Sequence, residues 1–231
     1  MAHFVFMLTH DDRTVDNAAE IMPTLAETGL KYVGFKDVGA DLAKQRHLVE
    51  LAHDAGFEVM LEVVSTSKEA EMSSLRSAAE AGFDWVLGGT HGAETAGMLP
   101  DGVKYCPFPG TVVDHPSILQ GTIDEIADDA ARLTAFDHVS GLDLLAYRHR
   151  SADVLELIRA VVAKSNGPVI VAGSIASVAR AVAVSEAGAW GYTIGSAIFD
   201  GLLPGAPSIA DQVRAVLDET AAAAETAQET T

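Results

Sequence analysis

The sequence repeats a unit in which a helical segment ends at glycine and a short apolar segment follows at once. Glycine readily adopts the left-handed conformation that ends a helix. The first three of these glycines are 27 and 26 residues apart, a period that fits one strand, one helix and two loops. The repeat therefore predicts consecutive βα units. The glycines that carry it are Gly29, Gly56, Gly82 and Gly188.

Eight strands are predicted, near residues 4–9, 31–36, 57–63, 83–88, 103–107, 139–145, 168–172 and 190–194. Strands that alternate with helices form either a closed barrel or an open doubly wound sheet. A dinucleotide-binding open sheet has its glycine-rich turn after the first strand, where this chain has Thr9-His10-Asp11-Asp12. The sequence therefore predicts a single α/β (β/α)₈ TIM barrel over residues 1–217. Residues 218–231 lose apolar periodicity and are predicted to be a frayed or disordered tail.

The chain is strongly acidic, with a formal net charge of −18. Nucleic acids and anionic membranes attract clustered Lys and Arg, so neither is an expected partner. Cys106 is the single cysteine, which suits a reducing compartment. The first residues show no basic, apolar leader, and no apolar segment reaches the ~20 residues that span a bilayer. A cytoplasmic location is the expectation.

Two small, glycine-containing turns follow the last two predicted strands. Gly173 and Ser174 follow Val169–Ala172, and Gly195 and Ser196 follow Tyr192–Ile194. Glycine lets the backbone approach a ligand, and successive free N–H groups form an anion-binding concavity. In barrels, the loops after strands seven and eight are a frequent phosphate site. The two turns predict that a small phosphorylated metabolite binds here.

This pair of turns resembles the tandem phosphate motif of the ribulose-phosphate-binding barrel superfamily, which includes the phosphoribosyl isomerases of histidine and tryptophan biosynthesis. The motif covers the last third of the chain, and the strand count covers all of it. The resemblance implies a (β/α)₈ barrel in which Gly173, Ser174, Gly195 and Ser196 hold phosphate. The histidine-pathway isomerases have an acid at the end of the first strand and another at the fifth. Thr9-His10 and Cys106-Pro107 occupy those places here, so their specific reaction is not implied.

Three ionisable residues at strand ends are the catalytic candidates. Lys36 directly follows an apolar segment, and a lysine in a barrel mouth can act as a general acid or form an imine. Glu62 and Asp143 each lie within apolar strands, where a carboxylate must face the mouth or a partner. Strand alternation is consistent with Glu62 and Met60 pointing inward and Leu61 outward, and it permits Lys36 to point inward as well. Lys36 and Glu62 are therefore predicted to face one another in the barrel mouth.

Thr9, His91 and Arg148 lie at other strand ends and are predicted to contact the substrate. No metal or other cofactor is expected, because the acidic and histidine residues that could meet at the mouth lack any characteristic metal-ligand spacing. Those residues are His10, Asp11, Asp37, Glu62 and His91.

The leading functional hypothesis is an isomerase or epimerase acting on a small phosphorylated sugar or ketose, in carbohydrate metabolism. Glu62 or Asp143 would move a proton beside a carbonyl that Lys36 polarises. The enzymatic alternative is a carbon–carbon lyase or aldolase that forms an imine at Lys36. A third hypothesis is a barrel that binds a phosphometabolite without catalysis. Many barrels of this size form dimers, so a homodimer is a candidate state.

Overall fold

The computed structural model describes residues 1–65 and 67–229. Eight strands form one parallel sheet that curves into a barrel, and two short hairpins lie outside that sheet. The strands are β1 (His3–Met7), β2 (Tyr32–Lys36), β3 (Glu58–Val63), β4 (Trp85–Gly88), β5 (Lys104–Cys106), β6 (Leu142–Leu144), β7 (Val169–Val171) and β8 (Gly191–Ile194). Their hydrogen-bonded order is β6-β7-β8-β1-β2-β3-β4-β5. This confirms the predicted α/β (β/α)₈ fold.

The barrel closes between β5 and β6 through single hydrogen bonds rather than a regular ladder. The Ser140 N–H donates to the carbonyl of Tyr105 over 2.8 Å, and the Asp143 N–H donates to the carbonyl of Pro107 over 3.0 Å. The predicted sixth strand is longer than the observed one. The N–H groups of Ser140 and Gly141 both donate to the carbonyl of Tyr105, so these residues do not form a regular ladder. The predicted first strand is also shortened, because Thr9 and His10 pair with Arg13 and Thr14 in a separate hairpin.

The helices surround the sheet, and most begin at a Ser, Thr or Asp whose side chain accepts a backbone N–H of the first turn. The β4–β5 connection contains only a 3₁₀ turn at Gly92–Glu94. Within residues 1–65 and 67–229, no helix has both the length and the apolar character to cross a bilayer. The helices are α1 (Ala18–Ile21), α2 (Leu42–Asp54), α3 (Lys68–Ala81), α4 (Ile123–Leu133), α5 (Val154–Lys164), α6 (Val178–Glu186), α7 (Ser196–Phe199) and α8 (Ile209–Glu229).

The strands divide their side chains between two cores, as alternation requires. Outward side chains such as Phe6, Leu61 and Val86 pack in the large core beneath the helices. Inward side chains fill the barrel with a smaller apolar cluster, and polar residues lie above it at the carboxyl ends of the strands. The inner cluster contains Val5, Met7, Tyr32, Met60, Trp85, Leu87, Cys106 and Ile170.

The last helix continues well past the point where apolar periodicity ends. Helix α8 runs to Glu229, and Thr220 is buried within it, donating to the carbonyl of Val216 over 2.7 Å. Ala221–Ala224 follow, and alanine has the highest intrinsic helix propensity. The frayed tail expected from residue 218 is therefore helical as far as Glu229, while Thr230 and Thr231 lie outside the described residues.

We expect Gly167→Ala to lower the free energy of unfolding by about 2–3 kcal/mol, because overpacking a dense contact is costly. A Cβ at Gly167 would lie 2.1 Å from the carbonyl oxygen of Ser140, the residue whose N–H helps to close the barrel. The matched control is Gly188→Ala, whose φ is +93° and whose Cβ would lie 3.4 Å from Val162. That change strains only a helix end and should cost about 1 kcal/mol. Urea unfolding measures both, and equal losses would contradict the packing argument.

Candidate functional site

A cavity of about 330 Å³ opens at the carboxyl ends of the strands. Its wall combines residues from β1, β2, β3 and the loops after β6, β7 and β8. In barrels this end carries the chemistry. Eight of the residues predicted from sequence line it: Thr9, Lys36, Glu62, Arg148, Gly173, Ser174, Gly195 and Ser196.

Lys36 and Glu62 face one another across adjacent strands. They are register partners of β2 and β3, and Lys36 Nζ lies 3.5 Å from Glu62 Oε1. Each residue is only 4% exposed, so the pair is largely shielded from water. Met60 points into the barrel with Glu62, and Leu61 packs outward. The inward placement predicted from alternation is therefore the one observed.

Asp12, which the sequence analysis did not select, is the closest partner of Lys36. The Lys36 ammonium donates to Asp12 Oδ1 in a very short contact. The Arg148 guanidinium donates to both oxygens of the same carboxylate, over 2.8 and 3.0 Å. Burial opposes ionisation of Asp12, but the hydrogen bonds from Arg148 and the charge of Lys36 outweigh it and hold its pKa well below the usual range. Asp12 is thus a fixed anion between two cations.

An unusual turn brings Asp12 into the cavity. Thr9 pairs with Thr14 and His10 with Arg13, which leaves Asp11 and Asp12 as a two-residue hairpin loop. Both loop residues have positive φ, 48° and 57°, a conformation that Asp tolerates better than most residues. The hydroxyl of Thr14 donates to the Lys36 carbonyl over 2.7 Å and accepts the Lys36 N–H over 3.0 Å. These bonds fix the hairpin to the end of β2.

Asp143 points into the barrel as predicted, but it lies behind the cavity wall. Its side chain is fully buried, and neither carboxyl oxygen has a hydrogen-bond partner among the described residues. Burial raises the pKa of Asp143 well above its usual range, and the nearby charge of Glu62 raises it further. The neighbouring Cys106 thiol also has a raised pKa, because of its burial and the adjacent Asp143. Burial therefore favours the uncharged form of Asp143.

The two glycine turns line the cavity. Gly173 and Ser174 have positive φ, 78° and 58°. A Cβ at Gly173 would lie 2.4 Å from Arg148 Nε, and one at Gly195 would lie 2.6 Å from Thr9 Oγ1, so close packing requires glycine at both positions. Among the described residues, no protein acceptor pairs with the N–H groups of these two glycines or the serines that follow them.

Arg180, from helix α6, is a cavity residue that the sequence analysis missed. Its guanidinium donates to the carbonyl of Ser174 over 2.6 Å and lies 4.9 Å from the ring of Tyr147. The side chain lines the cavity next to the two glycine turns and is exposed to solvent. It adds a positive charge that no nearby carboxylate of the described chain neutralises by an ion pair.

His91 does not line the cavity, contrary to the expectation that it contacts substrate. Its Nδ1 lies 2.7 Å from an oxygen of Glu71, a carboxylate with no exposed surface. Glu71 also accepts the N–H groups of Thr90 and His91, over 2.9 and 3.0 Å. His91 therefore belongs to a structural network that fixes the loop after β4.

The other acidic and histidine residues considered as metal ligands do not meet at the mouth, and each has its own partners. His10 bonds to Asp200, and that contact raises the pKa of its imidazole. Asp37 accepts the Val64 N–H and the hydroxyls of two serines beyond β3. In the part of the chain that the structure describes, no three His, Cys, Asp or Glu side chains form a metal-binding group.

No protein-family model and no curated protein sequence matches the chain. Solved structures share its fold. Native KDPGal aldolase is 16% identical over 96% of each chain, with a TM-score of 0.66. Orotidine 5′-phosphate decarboxylase from Pyrococcus horikoshii OT3 is 16% identical, with a TM-score of 0.66 over 94% of this chain and 99% of that one. Tryptophan synthase from M. tuberculosis is 16% identical, with a TM-score of 0.65 over 96% and 92%. All are (β/α)₈ barrels.

We expect Asp12→Asn to lower the free energy of unfolding by about 3–5 kcal/mol, because it leaves the buried Lys36 and the partly buried Arg148 without their shared anion. Asn keeps the side-chain shape and tolerates the left-handed turn. Asp11→Asn is the control, since that neighbouring carboxylate is 86% exposed and should matter by less than about 0.5 kcal/mol. Guanidinium unfolding at neutral pH compares them, and similar losses would refute the ion-pair argument.

The ion pairs of Asp12 also predict how the stability of the protein depends on pH. Because the folded pKa of Asp12 is depressed, its contribution to stability is present above the unfolded value, about 3.9, and is lost as pH falls toward the folded pKa. The stability difference between the wild type and Asp12→Asn should therefore shrink below about pH 4. Unfolding curves between neutral and acidic pH measure it, and a difference that stays constant would contradict this assignment.

Proposed function

We propose that this chain is an enzyme that holds a small phosphorylated carbonyl compound and moves a proton on the carbon beside the carbonyl. That reaction makes it an isomerase or epimerase of a sugar phosphate or related ketose. One observation carries the proposal: a single cavity combines two turns of unpaired N–H groups with a shielded Lys36–Glu62 pair. The barrel enzymes that share the fold support an enzymatic role.

The phosphate would bind against the turns after β7 and β8. Unpaired N–H groups of Gly173, Ser174, Gly195 and Ser196 suit an anion, because each donor gains a partner without losing one. The guanidinium of Arg180 supplies a local positive charge beside them. This matters because the protein as a whole is strongly acidic, and screening confines distant repulsion to about 8 Å at physiological salt.

Glu62 and Lys36 would carry out the proton transfer. The Glu62 carboxylate takes a proton from the carbon beside the carbonyl, and the electron pair moves onto the carbonyl oxygen. The Lys36 ammonium donates a hydrogen bond to that oxygen and stabilises its developing charge. The hydroxyl proton on the carbon that lost its hydrogen passes to the former carbonyl oxygen, and Glu62 returns its own proton to the former carbonyl carbon, which completes isomerisation. In epimerisation, a solvent proton reaches the opposite face of the original carbon, and Glu62 releases its proton to solvent. Asp143 takes no direct part, because it does not reach the cavity surface.

The second candidate is an aldolase that forms an imine at Lys36, as the aldolase among the similar structures suggests. Imine formation needs a neutral amine. Asp12 and Glu62 both lie beside the Lys36 ammonium and stabilise its charged form. The geometry therefore favours Lys36 as a hydrogen-bond donor over Lys36 as a nucleophile.

Incubation with a panel of aldose and ketose phosphates in D₂O tests the proton transfer. We expect wild-type protein to introduce deuterium beside the carbonyl of at least one compound, detected by ¹H NMR. Glu62→Gln should lower that rate by ~10²-fold or more, and so should Lys36→Met. Glu58→Gln is the matched control, because Glu58 lies on the same strand at the opposite end of the barrel and is half-exposed.

Borohydride added during the same incubations separates the two candidates. A covalent adduct at Lys36, seen by mass spectrometry, would favour the aldolase. Binding of a sugar phosphate with neither exchange nor adduct would instead indicate a barrel that binds phosphometabolites without catalysis. Exchange that survives Glu62→Gln unchanged would overturn the role given to Glu62.

Phosphate binding is tested with inorganic phosphate by titration calorimetry. Ser196→Asp should abolish binding with little loss of fold, because a carboxylate would occupy the anion-binding turn. Arg180→Met should weaken binding about tenfold or more, the usual scale for a charged hydrogen bond. Arg214→Met, on α8 outside the cavity lining and paired to Asp211, should leave binding unchanged. Unaltered phosphate affinity in Ser196→Asp would place the anion elsewhere.

A further inference from the structure

The hairpin after β1 is attached to helix α7 as well as to the end of β2. The Asp11 N–H donates to the hydroxyl of Ser196 over 3.2 Å, and His10 Nε2 lies 2.9 Å from Asp200 Oδ1. The His10 ring also lies 6.0 Å from the ring of Phe199. Asp200 directly follows α7, so these contacts join the hairpin to both ends of that short helix.

Asp200 adds a negative charge to the wall of the cavity, one helical turn beyond the proposed phosphate turn of β8. The other two carboxylates of that wall, Asp12 and Glu62, lie beside the Lys36 ammonium. Among the described residues, the ion-pair partner of Asp200 is His10, and both side chains reach solvent. Neutralisation of Asp200 therefore depends on the protonation of one imidazole.

The charged groups around His10 favour its protonated form. Asp200 faces it from the end of α7, and Asp11 Oδ2 of its own hairpin lies 3.6 Å from its Nδ1. Its cross-strand neighbour Arg13 extends away, since the guanidinium lies 3.6 Å from the Cβ position of Gly39. The hydrogen bond with Asp200 raises the pKa of His10, burial opposes this, and the charges of Asp11 and Asp200 add to the rise.

We infer that His10 is a positioning residue for the proposed phosphate site, because its imidazolium neutralises Asp200 and holds that carboxylate against the hairpin. Loss of the His10 proton leaves a negative charge on the cavity wall near the bound anion. The affinity of the cavity for anions therefore falls as pH rises through the range in which histidine titrates. His10 does not line the cavity and acts through Asp200. The inference rests on the proposed phosphate site and adds a pH-dependent control to it.

Titration calorimetry with sulfate between about pH 5.5 and about pH 8.5 tests the inference, because this range spans the usual pKa of histidine. Sulfate keeps the same charge over the range, whereas phosphate itself changes its protonation there. We expect the wild-type affinity to fall about threefold or more across the range, the scale of one partly exposed charge pair. His10→Gln should bind sulfate at every pH as weakly as the wild type does at the alkaline end.

Asp200→Asn should bind sulfate more tightly than the wild type at the alkaline end, because the cavity wall then lacks that negative charge. The midpoint of its pH dependence should lie at lower pH, since His10 loses the carboxylate that raises its pKa. His53→Gln is the matched control, because His53 pairs with Asp84 over 3.0 Å and is similarly exposed. That pair lies at the opposite end of the barrel, where Asp84 precedes β4, so this variant should have the wild-type profile.

The reciprocal effect provides an independent readout. If protonation of His10 favours anion binding, bound sulfate must raise the pKa of His10 by the same coupling. NMR titration of the imidazole with and without sulfate measures that shift.

A wild-type profile that coincides with the profile of His10→Gln would overturn the inference. So would a His10 pKa that bound sulfate leaves unchanged, or a loss of the pH dependence in His53→Gln. Each of these outcomes leaves the phosphate site in place and removes only the role of His10. Failure of sulfate to bind at any pH would instead overturn the proposed phosphate site itself, so the two failures are distinguishable.

Discussion

The carboxylate of Asp12 allows two cations, one buried and one partly buried, to lie close together at the mouth of the barrel. Lys36 and Arg148 both donate to it, and Glu62 lies on the other side of Lys36. Ions removed from water are costly unless each finds a partner in good geometry. Asp12 and Glu62 balance the two cations, so the cluster has no net charge. It also joins the hairpin after β1, the ends of β2 and β3, and the loop after β6, which together shape the cavity.

The sequence was sufficient to predict the barrel and the Lys36–Glu62 pair, because both depend on local rules. Glycine-terminated helices define the βα repeat, and strand alternation decides which side chains point inward. Asp12 could not be predicted in this way. Its placement needs two consecutive residues with positive φ, and its partner Arg148 lies 136 residues further along the chain. Arg180 was missed for a related reason, since it reaches the loop after β7 from within a helix.

The glycine turns show why a motif must be compared with its surroundings. Gly88-Gly89-Thr90 after β4 is as rich in glycine as the turns after β7 and β8. There, however, the carboxylate of Glu71 already accepts the Thr90 and His91 N–H groups, so the protein itself supplies the anion. The N–H groups of Gly173 and Gly195 have no such internal partner among the described residues. The difference between the loops comes from Glu71, which belongs to helix α3 and therefore cannot be recognised from the loop sequence alone.

The two inward carboxyl groups, Glu62 and Asp143, differ in their surroundings, and the surroundings decide where a negative charge is better stabilised. Two carboxylates close together in a dry interior resist simultaneous ionisation. Glu62 lies 3.5 Å from the Lys36 ammonium and at the cavity surface, so the negative charge is best stabilised there. Asp143 has no such partner among the described residues and is fully buried, and burial raises its pKa and favours its uncharged form. Of the two groups, Glu62 is the one that lines the cavity, whereas Asp143 lies behind it in surroundings that favour its uncharged form.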